Sequence, residues 1–436
     1  MTASNSLATT RQLIEFIDAS PTPWHAVSRM RQHLIAQNYT ELCEAQSWQL
    51  HPNTGYFVVR EEASLIAFCT GGEMTNTQFR IIGAHTDSPG LRVKTNGAQE
   101  NGGYLRLNCE VYGGPILATF TDRDLALAGR ILVRDGSAQG FSSRLYDSKK
   151  ALVRLPNLPI HLNRSVNDDG LRMQKHKDLN LLLGSLHEPL SASDSFNQWL
   201  CETTAVKRKD LLGFELLPYD IQPGAFFGAH DEFIAVRQLD NLASCHAAIV
   251  ALLSATDSTA TQVIALFDHE EVGSASYTGA GGSFLQDVLQ RIVYAFNDEQ
   301  DALAKTMARS WLASADMAHA WHPSHSDCYD GLHHLKVNQG LALKINSSQR
   351  YATNAIGEAL FMQVAEKANV PVQKYVHRAD LSCGSTIGPV CATRLGIHTL
   401  DIGVPMWAMH SARESCGAHD QAYYLNWMRA FLSPEQ

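Results

Sequence analysis

The stretch FRIIGAHTDSPG (79–90) decides how the chain folds. Phe79–Ala84 is a short apolar run, and it ends abruptly in His85, Thr86, Asp87, Ser88, Pro89 and Gly90. An apolar run that gives way at once to polar residues and turn formers reads as a buried parallel strand reaching its C-terminal end. The same texture recurs at Val263–Phe267, Ile292–Phe296, Trp311–Ala315 and Thr399–Ile402, each expected to be a strand. Between them lie helical stripes: Leu242, Cys245, His246, Ile249, Val250 and Leu253, and then Phe361, Val364, Ala365 and Ala368 within 357–368. Strands alternating with helices imply an α/β fold, a mostly parallel sheet flanked by helices. Upstream, Leu13, Ile14, Phe16 and Ile17 form an amphipathic helix that stops at the Pro21–Pro23 turn, and Tyr56–Val59 and Leu65–Phe68 read as two further strands.

From about 94 to 230 the pattern changes to strict alternation. Leu105, Leu107, Cys109 and Val111 alternate with polar residues, as do Leu125, Leu127, Ile131 and Val133, with turns at Gly113-Gly114 and Asp135-Gly136. This is half-buried strand periodicity. The expected organisation is a discontinuous catalytic domain, 1–93 and 231–436, interrupted by a β-rich oligomerisation insert, 94–230.

In open α/β sheets, ligands collect outside the C-terminal ends of the strands. At those ends stand His85, Thr86 and Asp87; Asp240-Asn241 at the start of a helix; Glu270-Glu271; Asp316; and His410. Imidazole and carboxylate are ligands that zinc accepts. Two ions about 3.5–4 Å apart need one bridging carboxylate and terminal ligands on each side. The inventory meets that need with one glutamate left over, and a spare carboxylate beside a metal-activated water is what general-base catalysis requires. Each piece alone has a plainer reading: a chance His-x-Asp, a helix N-cap at Asp240-Asn241, a solvated Glu-Glu pair. The position of Glu270-Glu271, directly after an apolar strand and before Val272-Gly273-Ser274, speaks against the last of these.

Composition narrows the class. The chain has 436 residues, 45% hydrophobic and 18% charged, with a net charge of −9, so it lacks the basic surface that nucleic acid demands. Its nine cysteines show no CxxC spacing and fit free thiols in a reducing compartment. No secretory leader is read in MTASNSLATTRQLIEF and no window approaches a membrane span, so a cytoplasmic protein is expected.

Seven blocks in order resemble the aspartyl aminopeptidase family of dinuclear zinc exopeptidases: GAHTDSPGLRVK (83–94), LDNLASC (239–245), EEVGSASYTGA (270–280), SADMAHAWHP (314–323), KINSSQRYAT (344–353), CGSTIGP (383–389) and AMHSARE (408–414). The resemblance runs from SPTPWHAV (20–27) to the C-terminal helix. It implies that His85 and Asp316 bind one zinc and Glu271 and His410 the other, with Asp240 bridging; cobalt or manganese are acceptable substitutes. It further implies that Glu270 is the general base and that Asp87 fixes the His85 tautomer. His319, Lys344 and Tyr351 become substrate contacts, and His161, in LPIHLNR, reaches the active site of a neighbouring subunit in a tetrahedral dodecamer. The implied activity is hydroxide attack on the first peptide bond, with Asp or Glu preferred at the N-terminus and Lys344 meeting the acidic side chain. Two stretches depart from the family pattern: PILATFTDRDL after Gly113-Gly114, where tryptophans and a third glycine are expected, and Leu381 close before Cys383, where relatives tend to carry proline.

Two other readings stay open at this level. A related deacylase or amidohydrolase on the same scaffold would lack a positive pocket for an acidic first residue, and a binding or assembly protein would carry a vestigial site, against which Glu270 and all five ligand candidates speak. Cys383 reads as a structural thiol, His322, His325, His333 and His334 as loop residues, and Gly279–Gly282 as a flexible turn without the lysine of a phosphate loop.

Overall fold

The computed structural model describes residues 3–75, 77–186, 190–255 and 258–434. They form two compact units. The first comprises Met1–Asp87, Gly224–Met409 and Glu414–Gln436; the second comprises Ser88–Pro223 and the short segment His410–Arg413.

The first unit is built on a nine-stranded sheet whose centre holds Thr261–Phe267, Phe79–His85, Trp311–Ala315 and His398–Gly403 side by side. These four are mutually parallel, with Phe267 level with His85 and Ala315 level with Ile402. Every residue of Thr261–Phe267 is buried, which is why this strand reads as an unbroken apolar run rather than an alternation. Alternation appears as a division between two cores. Ile82, Ala84, Ile264 and Leu266 face one of them, and Ile81, Val263, Ala265 and Phe267 face the other. The first core packs beneath helices Ala3–Asp18, Pro23–Ala36, Leu239–Leu253, Ala355–Ala368 and Asp420–Leu432; the second beneath Phe284–Tyr294 and Ile387–Leu395. This is the helix–sheet–helix layering expected of an α/β fold.

Local chemistry sets the helix boundaries. Thr22 accepts the His25 N–H ahead of Pro23, so the Pro21–Pro23 turn that closes one helix also opens the next. Asn354 and Thr386 cap Ala355–Ala368 and Ile387–Leu395 in the same way. One expectation is corrected: Ile292–Phe296 is not a strand, because Ile292 and Val293 close the helix Phe284–Tyr294. Its stripe of Phe284, Leu285, Val288, Leu289, Ile292 and Val293 has helical spacing, and that periodicity outweighs the local β-branched preference. A smaller sheet in this unit joins Ala225–Phe227, Phe233–Val236, Glu414–Gly417, Pro405–Trp407 and Ala318–His319.

The second unit contains two three-stranded antiparallel sheets. Gly90–Asn101, Tyr104–Tyr112 and Asn180–Ser185 form one, and Leu211–Asp220, Leu125–Arg134 and Phe141–Asp147 the other. Alternate residues Leu107, Cys109, Leu125, Leu127, Ile131 and Val133 enter its core with Phe196 and Leu200 of helix Ala192–Thr204. All nine cysteines are free thiols, and no helix among the described residues is long and apolar enough to cross a membrane.

His246 lies within the first unit, 4% exposed, its ring 5.6 Å from that of Phe16. Gln421 Nε2 donates to its Nδ1 at 3.1 Å, which holds the ring neutral with its proton on Nε2. Burial, with His33 and Arg29 nearby, pushes its pKa from the ordinary 6.5 down to about 3. Between these values the unfolded chain takes up a proton that the folded chain refuses. The stability His246 contributes is therefore complete above about pH 6.5 and lost as pH falls toward 3. Between pH 6.5 and 5 this amounts to about 2 kcal/mol. Urea unfolding of wild type and His246→Gln at pH 7 and pH 5 should show the variant losing less stability on acidification by about that amount; equal losses would disprove the assignment.

Candidate active site

The parallel centre of the sheet brings His85, Glu270, Glu271 and Asp316 to one edge. His85 ends the strand Phe79–His85 and is 1% exposed. Asp316 follows Trp311–Ala315 directly, and its backbone N–H donates to Ile402 O. The approach is close: a Cβ at Gly403 would stand 2.0 Å from Asp316 O, so only glycine admits this path. Asp240 sits in the first turn of Leu239–Leu253, where it and Asn241 depart from helical dihedrals. The turn is tied on both sides, since Asp240 N–H donates to Glu414 Oε2 at 3.0 Å and Asn241 Nδ2 donates to Ala315 O at 2.8 Å. Sequence offers Asn241 only a helix N-cap and Glu414 no role, and neither reading anticipates these tethers. Both lie inside quoted blocks, but nothing in their spacing distinguishes a tether from a bystander.

The polar partners close around His85. Its Nε2 lies 3.4 Å from Asp240 Oδ1 and 3.7 Å from Asp316 Oδ1. Ligand atoms of His85, Asp240 and Asp316 all fall within 4.8 Å of one another, and so do those of His85, Glu270 and Glu271. On the other side of the ring, Nδ1 lies 3.0 Å from the Asp87 backbone carbonyl and 3.3 Å from its Oδ1. A proton on Nδ1 is thereby held, and Nε2 is presented to the carboxylates. Asp87 has a second task that sequence reading missed. Its carboxylate accepts Glu270 N–H at 3.2 Å and Glu271 N–H at 3.1 Å, capping the short turn Glu270–Val272. One buried carboxylate thus orients the histidine and both glutamates.

The electrostatics of the cluster call for a cation. Burial pushes the Glu270 carboxyl up to about 9; His85 opposes this, while Asp316, Glu271 and Asp87 add to it. Burial works against a charged His85, yet Asp240, Asp316 and Asp87 hold its pKa well above 6.5. Five carboxylates around one imidazole carry more negative charge than a buried site sustains unless a positive ion answers it. The donor set, imidazole nitrogen with carboxylate oxygens, suits zinc.

Lys344, on the strand Leu341–Ile345, is 2% exposed; its Nζ donates to Met317 O at 3.0 Å and lies 3.3 Å from Asp316 Oδ2. The Tyr351 ring centroid is 5.2 Å from the same Nζ. His319 is placed by the smaller sheet, with Tyr375 and His377 rings 5.8 and 6.2 Å away, and burial pushes its pKa down to about 4. Beside it opens a pocket lined by Tyr329, Tyr375, His377, Arg378 and Met406. His333 pairs with Asp330, His322 lies against His325, and neither these nor His334 join a ligand grouping among the described residues. In the second unit, the His410 carbonyl accepts Ile116 N–H at 2.9 Å and its Nδ1 lies 3.1 Å from Gly114 O. His161 sits in an exposed turn of that unit.

Comparison with known proteins agrees with the chemistry of this cluster. Residues 16–432 match the family model described as aminopeptidase I zinc metalloprotease (M18). A probable M18 family aminopeptidase 2 from Pseudomonas paraeruginosa is 42% identical over 428 residues, covering 97% of this chain and 98% of its relative. The corresponding protein of Pseudomonas putida GB-1 is 43% identical over 423 residues, covering 96% of each. Among solved structures, one from the Ape4 and Nbr1 complex superposes with a TM-score of 0.94 at 36% identity, covering 98% of this chain and 86% of that one. The S. cerevisiae mApe1 dodecamer gives 0.85 at 26% identity, covering 98% and 97%. A buried imidazole–carboxylate cluster at the C-terminal edge of a parallel sheet, in a chain matched nearly end to end, identifies this protein as a zinc aminopeptidase belonging to the M18 family.

Proposed function

We propose that the enzyme holds two zinc ions per subunit and removes Asp or Glu from peptide N-termini, with Glu270 as general base. The observation that carries this reading is the geometry of one turn. Glu270 and Glu271 are adjacent and both backbone N–H groups are fixed by Asp87; with Glu271 taken as a ligand, Glu270 is left for proton transfer. His85 and Asp316 would hold one ion, Glu271 and His410 the other, with Asp240 between them. Bound zinc supplies Lewis-acid polarisation of the scissile carbonyl and acidifies a water molecule. Glu270 takes the proton of that water as it attacks the carbonyl carbon, and then delivers it to the departing amine. Asp87 keeps the Glu270 turn and the His85 ring in place throughout. The acidic carboxylates next to the site supply anchorage for the free α-amino group, which makes the enzyme an exopeptidase.

Lys344 and Tyr351 support the acidic preference, since a cation and a phenol stand together beside Asp316. The pairing of Lys344 with Asp316 also favours a second reading, in which Lys344 only balances a metal ligand and the enzyme takes neutral residues. Exposed apolar residues of the second unit support assembly: Leu158 is 63%, Ile160 47% and Leu162 73% exposed around His161. An exposed apolar cluster of this kind suits a contact between subunits, and the similar mApe1 is a dodecamer. His161 would there complete a neighbour's site within a tetrahedral dodecamer, and the free cysteines fit a cytoplasmic location.

Three measurements test this reading. Glu270→Gln should retain both zinc ions by elemental analysis while kcat falls at least ~10²-fold; Glu271→Gln should instead lose one ion, and equal loss from both variants would refute the division of roles. Lys344→Met should lower kcat/KM for aspartyl- and glutamyl-nitroanilides by roughly 10- to 100-fold, the scale of a charge-assisted hydrogen bond. Neutral substrates should be spared, and a uniform loss would establish the neutralising role. His161→Ala should impair turnover with zinc content unchanged, in an assembly that light scattering reads as a large oligomer; a fully active monomer would exclude a shared site.

A further inference from the structure

Asp401 is a buried carboxylate that none of the steps above employs. It lies on the strand His398–Gly403, fully buried, in register with Lys344 on the neighbouring strand Leu341–Ile345. Its Oδ2 accepts the Ala352 N–H at 2.6 Å, and its Oδ1 accepts the Thr386 hydroxyl at 2.5 Å. Its own N–H donates to Thr353 Oγ1 at 2.8 Å. Thr386 Oγ1 in turn accepts the Gly388 N–H at 3.2 Å, so its hydroxyl proton is committed to Asp401. Three chain segments converge on this one side chain: its own strand, the loop 346–353, and the start of helix Ile387–Leu395.

The surroundings are shaped to keep it there. A Cβ at Gly388 would stand 2.5 and 2.6 Å from the two carboxylate oxygens, so glycine is what leaves room for them. Ser385 Oγ donates to Arg350 O at 3.2 Å and joins the same two segments a second time. Ala352 directly follows Tyr351, which is 4% exposed and packs against Lys344 and Tyr375. A carboxylate removed from water, bound to the Ala352 amide and the Thr386 hydroxyl with Lys344 and Ser314 beside it, is costly to bury unless those bonds are made, so the loop and the carboxylate hold each other.

We propose that Asp401 is a positioning residue for substrate recognition: by binding Ala352 N–H and Thr386 Oγ1 it pins the loop 346–353 and sets Tyr351 against Lys344. The functional half rests on the reading of Lys344 and Tyr351 as substrate contacts; the pinning does not. Asp401→Asn keeps the volume but presents an amide N–H₂ to one of the two donors. In the zinc-loaded enzyme it should leave metal content unchanged and speed hydrogen exchange of the amides in 349–353 by about tenfold or more. KM for aspartyl-nitroanilide should rise about tenfold with kcat within about threefold, the scale of one lost charge-assisted hydrogen bond. Thr386→Val removes one of the two bonds and should move both readouts in the same direction, and Thr386→Ser should restore slow exchange. If Asp401→Asn does not fold, Thr386→Val carries the test alone. Unchanged exchange in 349–353 overturns the proposal, as does a KM that stays constant while Tyr351→Phe raises it. Faster exchange with KM unmoved in both Asp401→Asn and Tyr351→Phe upholds the pinning and refutes instead the substrate role of Tyr351.

Discussion

Like charges packed around one imidazole are the constraint on which this enzyme depends. His85 Nε2 faces Asp240 and Asp316 within 4 Å, and Glu270 and Glu271 stand next to it. Carboxylates at these separations repel, and burial raises the cost of every charge. The fold answers in two ways. It supplies donors that do not depend on the metal: the backbone of Glu270 and Glu271 to Asp87, and the Lys344 ammonium to Asp316. It also leaves the remaining oxygens and Nε2 facing one another, an arrangement that a zinc ion satisfies.

Precision at this edge comes from backbone rather than from side-chain packing alone. Parallel strands in register put Phe267 level with His85, Ala315 level with Ile402 and Ser314 level with Gly83, so the residues that follow them are neighbours before any side chain is chosen. Short polar tethers then fix each turn. Asp87 holds the glutamates, Glu414 and Asn241 hold Asp240, and Gly403 makes room for the Asp316 backbone. Buried carboxylates act as structural clamps in this protein as well as ligands. Asp420 accepts Asn338 N–H and Gly340 N–H from a wholly buried position, in the manner of Asp401. A clamp of this type links distant segments without a disulfide, which suits a chain whose cysteines are all free.

The second unit has a different economy. Its strands alternate between core and surface, and the exposed apolar residues around His161 lie outside its core. His410–Arg413 is held with it through Gly114, Ile116 and Thr119, even though the flanking residues belong to the first unit. One short segment of chain therefore carries the last proposed ligand while being positioned by a loop nearly 300 residues earlier in the sequence.

Much of this was legible from the residues. The all-apolar run before His85-Thr86-Asp87 announced a buried parallel strand because a strand covered on both faces has no polar side to show. The changes of chemistry at strand ends marked Glu270-Glu271 and Asp316, which follow parallel strands, whereas Asp240 opens a helix after the antiparallel strand Phe233–Val236. What sequence could not show were contacts made across long separations. That Asp87 bonds the Glu270 and Glu271 amides 183 and 184 positions away depends on two strands lying side by side in a given register. Lys344 pairing with Asp316, and Asp401 gathering Ala352 and Thr386, likewise follow from sheet order and not from any local pattern. The misread strand at Ile292–Phe296 has the same origin: β-branched residues look alike in either element until the face they must bury is known. Chain order and residue type settled which groups could do chemistry; which of them meet, and at what distance, was decided only when the sheet closed and burial forced each polar atom to find a partner.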